Sequence, residues 1–196
     1  MMDTMHQPPA PSHPLAWPST CVLTAQALTP EAMQPYGWML NVDQAFAHQS
    51  ARAINAGTSR RADVPGGLDL TDAGGRGLAC VFRAQGQAGQ GPWRVLERHR
   101  FGSQTFVPMA APNNAVVERG QAIGLLLLAL GDPQPEWASL RAFWFSAQQA
   151  FTLKPGTWHH PLIALLDFDF CVIERVAADA VVDHIDPRSF GVLAHQ

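Results

Sequence analysis

The sequence predicts an all-β protein, a barrel or sandwich carrying one or a few short helices. Three observations lead there. Apolar stretches of about four to eight residues recur roughly every 8–12 positions. Gly and Pro punctuate the chain between them, which suits many short strands joined by turns. A helix start with a matching stop occurs at one place, around Thr29.

Taken in order, Cys21-Val22-Leu23-Thr24-Ala25 reads as a first strand. Thr29-Pro30-Glu31 supplies an N-cap, a proline at the first helical position and an acid in the first turn; Pro35 and Gly37 close that helix early. Trp38–Val42 returns to extended chain. Arg60–Gly91 is loop-rich, broken by Gly66-Gly67 and Gly74-Gly75, with Leu78–Ala84 as a strand inside it. Trp93–Phe101, Thr105–Met109 and Gly120–Leu130 follow as strands, and Gly131-Asp132-Pro133 is a turn. Leu140–Ser146 and Phe151–Leu153 come next. Leu162–Leu166 and Phe168–Arg175 read as a hairpin turning near Asp167. Trp93, Trp137, Phe143, Trp144, Phe145, Phe168 and Phe170 sit at strand positions and are assigned to the core.

With 196 residues, the chain suits one domain spanning 21–175, between a disordered or extended, Pro-rich arm (1–20) and a polar C-terminal tail (176–196). The net charge is −3 and only 15% of residues are charged, so no basic face is offered to nucleic acid. The longest apolar run, Ile123–Leu130, is too short to cross a membrane and reads as a buried strand. No signal-peptide pattern opens the chain. Cys21, Cys80 and Cys171 are odd in number and widely spaced, which suggests reduced thiols in a cytoplasmic protein.

Two segments carry candidate chemistry. The first is Glu97-Arg98-His99-Arg100-Phe101-Gly102-Ser103-Gln104. Strand alternation puts Glu97 and His99 on one face and Arg98 on the other. A carboxylate beside an imidazole orients it and raises its pKa, which serves acid–base work near neutral pH; a charged surface strand has the same pattern. The second is Lys154-Pro155-Gly156-Thr157-Trp158-His159-His160-Pro161. A Pro-Gly turn delivers two adjacent histidines to a strand start, where only one can face a given cavity; the pair also suits one buried structural and one exposed histidine.

Together these segments are similar to the metal-holding elements of cupin barrels, H-x-H-x(3,4)-E and a later His after a Pro-Gly turn. Here Glu97 stands where a His is usual and Gln104 where an acid is usual. Neutral Gln is a poor divalent ligand. No obligatory cofactor is expected, and a divalent metal would be weakly held by Glu97, His99 and His159.

The same residues resemble the ureidoglycolate lyase family. The stretches that carry the resemblance are ALTPEAMQPYG, INAGT, LERHRFGSQTFVPM, LLALGD, LRAFWF, PGTWHHPLIAL and DFDFCVIER, in that order from Ala27 to Arg175. Where the family often has Arg-Tyr-His-Asp, this chain reads Arg61-Ala62-Asp63-Val64, so only the arginine matches. The resemblance implies a cupin-like double-stranded β-helix (jelly-roll barrel), a homodimer, and a lyase that splits ureidoglycolate into glyoxylate and urea during allantoin degradation. Such a reaction needs a base for the hydroxyl proton, an acid for the departing urea nitrogen and a partner for the carboxylate. His99 or His159 is the candidate base, with Glu97 orienting an imidazole. Lys154 or the other histidine is the candidate acid. Arg61 and Arg98 are candidates for the carboxylate, and Gln104 and Asn55 for the urea amide. His160 and Trp158 are further candidate substrate contacts. Two other readings are a metal-dependent amidohydrolase that releases ammonia and a non-catalytic cupin module that binds a small carboxylate.

Overall fold

The computed structural model describes residues 21–40, 42–47, 51–63, 66–87, 95–178, 182–185 and 190–194; the N-terminal arm lies outside them. The chain is all-β and cupin-like. Its strands are β1 (Cys21–Ala27), β2 (Gly37–Leu40), β3 (Arg52–Ile54), β4 (Ser59–Arg61), β5 (Arg76–Ala84), β6 (Leu96–His99), β7 (Gln104–Ala110), β8 (Ala122–Leu130), β9 (Glu136–Ser146), β10 (Ala150–Leu153), β11 (Trp158–His159), β12 (Ile163–Ala164), β13 (Phe168–Val176), β14 (Val182–Ile185) and β15 (Phe190–Ala194). Two short helices, α1 (Pro30–Met33) and α2 (Val42–Ala47), accompany them.

One sheet of eight strands has the order β14-β6-β11-β8-β9-β1-β15, with β12 also paired to β8. A second sheet runs β2-β10-β7-β13-β5, and β3-β4 is a separate hairpin. The main core holds Ile123, Leu128, Phe143 and Phe145 from the first sheet and Phe106, Phe151, Phe170 and Val172 from the second. The two sheets therefore close face to face on one interior. Aromatic rings tie them: Phe106 stacks on Phe151 at 5.2 Å, and Phe145 meets Phe151 edge-on at 5.1 Å. Truncating Phe151 to alanine would cost roughly 3–5 kcal/mol. β8 is buried on both faces, because Leu125 and Leu127 pack into a second cluster with Ala25, Ala142 and Ile163. That is why its sequence is a continuous apolar run rather than an alternation.

The α1 start forms as the sequence predicts, with Thr29 Oγ1 accepting from Ala32 N at 3.2 Å. Other expectations change. Leu162–Leu166 and Phe168–Arg175 do not form a hairpin: β12 pairs with β8, whereas β13 pairs with β5 and β7. The chain crosses between sheets at Asp167, whose carboxylate accepts from Gly86 N at 2.8 Å. The strand expected over Trp38–Val42 ends at Leu40, and Val42 opens α2. The β3-β4 hairpin and the two strands beyond 176 were not legible as elements, because each gains its ladder from distant or very short segments. β14 pairs with β6 and β15 lies parallel to β1.

Candidate active site

β6 and β11 build the site between them. The Pro155-Gly156 turn fixes where β11 lands. Gly156 takes φ 80°, a conformation natural to glycine. Its N–H donates to His99 O at 2.8 Å, clipping the turn directly onto the end of β6. Thr157 Oγ1 donates to Tyr36 O at 2.8 Å and anchors the other side. His159 then pairs with Glu97 across one ladder and with Leu128 across the next. Ladder partners share a face, and Leu128 belongs to the main core. Glu97, His99 and His159 therefore face the interior between the sheets.

The three side chains converge. One ligand atom from each lies within 4.8 Å of the others. The His99 and His159 rings stack with centroids 5.5 Å apart. His159 Nε2 is 3.6 Å from Glu97 Oε1. His159 is almost fully buried, and its Nδ1 lies 2.9 Å from Thr157 O. A carbonyl only accepts, so Nδ1 carries the ring proton and Nε2 keeps its lone pair. Burial pushes the His159 pKa down to about 3, against the opposing pull of the Thr157 hydrogen bond. The ring is thus neutral at pH 7. His160 sits beside the cluster with Nδ1 2.7 Å from Pro161 O; burial lowers its pKa and the Glu97 carboxylate pulls it back up.

The other sequence candidates separate. Arg98 lies on the far face of β6, buried, with Nη1 donating to Asp132 Oδ1 at 2.9 Å. Its guanidinium stacks over Trp158 at 4.6 Å, and Trp158 Nε1 donates to Gly131 O at 3.0 Å. Trp158 completes a small core with Leu96, Ala129 and Leu140. The two-residue alternation that turns Glu97 and His159 inward turns Arg98 and Trp158 outward, so neither stands with the imidazoles. Lys154 Nζ donates to Gln34 O at 2.7 Å and holds the end of α1. Asn55 and Arg61 belong to the exposed β3-β4 hairpin; Asn55 has φ 52° in its turn, and Arg61 Nε lies 2.6 Å from Asp63 Oδ1.

Gln104 opens β7 on the inner face, in alternation with the core residue Phe106, and is buried. Its Nε2 donates to Glu174 Oε2 at 2.9 Å. Glu174 and Thr157 were missed by sequence reasoning. A signal for Glu174 existed: Phe168, Phe170, Val172 and Glu174 form one face of β13, an acid ending an apolar stripe. No local pattern marks Thr157, which acts through its carbonyl. β14 also brings position 184, a histidine, to the ladder position opposite Glu97.

A sequence profile of the family described as ureidoglycolate lyase matches residues 20–190 of this chain. The chain belongs to the ureidoglycolate lyase family. A curated ureidoglycolate lyase from Burkholderia cepacia is 33% identical over 169 residues, covering 85% of this chain and 86% of the relative. The one from Azotobacter vinelandii is 31% identical over 159 residues, covering 80% and 87%. The one from Brucella melitensis biotype 2 is 31% identical over 175 residues, covering 89% and 93%. The matched span includes β14, so residues 176–190 of the segment read from sequence as a polar tail lie inside the family region.

Proposed function

We propose that this chain is a carbon–nitrogen lyase that splits ureidoglycolate into glyoxylate and urea; its relatives carry the name ureidoglycolate lyase. The observation that carries the mechanism is the inward cluster of Glu97, His99 and His159. The substrate carbon bears a hydroxyl, a carboxylate, a hydrogen and the ureido nitrogen. Elimination moves the hydroxyl proton to a base, forms the carbonyl as the C–N bond breaks, and returns a proton to the departing nitrogen; glyoxylate and urea account for every atom. His159 is positioned to take the proton, since its buried Nε2 holds a lone pair and its tautomer is fixed by Thr157; a pKa of about 3 keeps it neutral but a weak base, so its proton passes on readily. Glu97, 3.6 Å away, stabilises the imidazolium that results. The stacked His99 is placed to deliver the proton to nitrogen. Arg61 remains our candidate for the carboxylate on the family resemblance alone: its hairpin stands apart from the cluster and would have to bring it there in exchange for Asp63, a pair exposed on both sides.

The donor set also fits a divalent ion. A carboxylate oxygen and two imidazole nitrogens would hold it, and when bound it would supply positive charge to the substrate oxygens. His159 Nε2 and Glu97 Oε1 stand 3.6 Å apart, a spacing that two ligands of one ion could share. Gln104 in place of an acid argues for weak retention.

A homodimer is supported by strongly exposed apolar side chains on β5 and β7 of the second sheet, Val81 and Met109. A reducing compartment such as the cytoplasm is supported by the free thiols of Cys80 and Cys171. A role in allantoin degradation follows from the substrate. Incubation with ureidoglycolate should release urea and glyoxylate in equal amounts above the spontaneous rate. Ammonia release in place of urea would overturn the lyase reading.

A further inference from the structure

We infer that Glu174 is a positioning residue for the ureido end of the substrate, acting by fixing which atom of the Gln104 amide is presented to the ligand. Gln104 is 6% exposed and its Oε1 is buried without a hydrogen-bond partner among the described residues. A buried acceptor left unpaired is costly, so it calls for a donor. Its sense is not free. Glu174 Oε2 receives Gln104 Nε2 at 2.9 Å, while the Cys80 thiol lies 3.8 Å from Glu174 Oε1. An ionised carboxylate only accepts, so it selects the amide rotamer with NH2 toward itself and the carbonyl oxygen away. Glu174 pairs with Gln104 in register across β13 and β7, so the contact is set by the sheet and not by chance rotamers.

The interior that Gln104 faces is the one that Glu97, His99 and His159 face, since Phe106 and Leu128 belong to one core. Among the groups of ureidoglycolate, the carboxylate cannot donate and the hydroxyl proton is the one the imidazole takes. The ureido N–H groups remain, and they match a presented oxygen. The substrate's identity and the choice of N–H over O–H rest on the lyase reading; the preference for a donor group over a methyl group does not.

The test uses two stable ligands of one shape. N-carbamoylglycine carries the terminal NH2, and N-acetylglycine has a methyl group in its place. Calorimetric titration of the full chain should show a preference of about tenfold or more for the carbamoyl compound. Glu174→Gln, confirmed as folded by its thermal melt, should lose most of that preference, because a neutral amide no longer dictates the Gln104 rotamer. The swapped variant Q104E/E174Q should regain it, since the carboxylate then stands at 104 and again presents an acceptor. Equal wild-type affinity for both ligands, no measurable binding of either, or an unchanged ratio in folded Glu174→Gln overturns the proposal. A purely structural Glu174 would weaken both ligands alike. Should the wild type show the preference yet release no urea from ureidoglycolate, the lyase reading fails and the positioning role stands.

Discussion

His159 stands directly across an antiparallel ladder from Glu97, with its Nε2 3.6 Å from the carboxylate and its Nδ1 held by the carbonyl of Thr157. A neutral imidazole with one committed nitrogen and one free lone pair is thereby aimed at an acid inside the protein.

His159→Ala should lower kcat for urea release by about 10²–10⁴-fold, the usual worth of a positioned proton acceptor. Coupled urea and glyoxylate assays, corrected for spontaneous decay, measure it. Full turnover in the variant would remove His159 from the chemistry.

Metal occupancy is tested separately. Titrating chelator-treated protein with Ni²⁺ or Zn²⁺ should reveal one weak site that disappears in Glu97→Gln. Absence of saturable binding would end the metal reading. Turnover is expected to persist in EDTA; abolition by EDTA and recovery on adding the ion would assign the chemistry to a bound cation.

The depressed His159 pKa predicts acid-sensitive folding. The ordinary imidazole value is 6.5 and the folded one about 3. Above pH 6.5 the ring is neutral whether folded or not, and its contribution is constant. As pH falls from 6.5 toward 3, the unfolded chain binds the proton and the folded chain does not, so stability drops by up to about 1.4 kcal/mol per pH unit. Urea melts of chelator-treated protein between pH 7.5 and 4.5 should show a shallower pH slope in His159→Gln than in the wild type. Identical slopes would contradict the burial argument.

Arg61 and Arg98 should behave oppositely. Arg61→Ala is expected to raise KM about tenfold or more with little change in kcat, the pattern of lost uniform binding. Arg98→Ala should leave KM unchanged and reduce stability by about 1–3 kcal/mol, since it removes the guanidinium packed over Trp158. A KM effect at 98 alone would reverse this assignment.

Alternation along single strands was enough to place Glu97 with His99 and to set Arg98 apart from them. Local chemistry likewise specified the Thr29 cap and the Pro155-Gly156 turn. What a strand's own pattern does not contain is which neighbour it meets and which of its faces is covered. That His159 pairs with Glu97, that Arg98 and Trp158 are buried together on the other face, and that Glu174 meets Gln104 were decided by sheet register between distant segments. The same holds at Asp167, where adjacent strands that read as a hairpin join different sheets. Side-chain periodicity is a short-range property written into the sequence, whereas register comes from packing two sheets onto one core, a choice made by the whole chain at once.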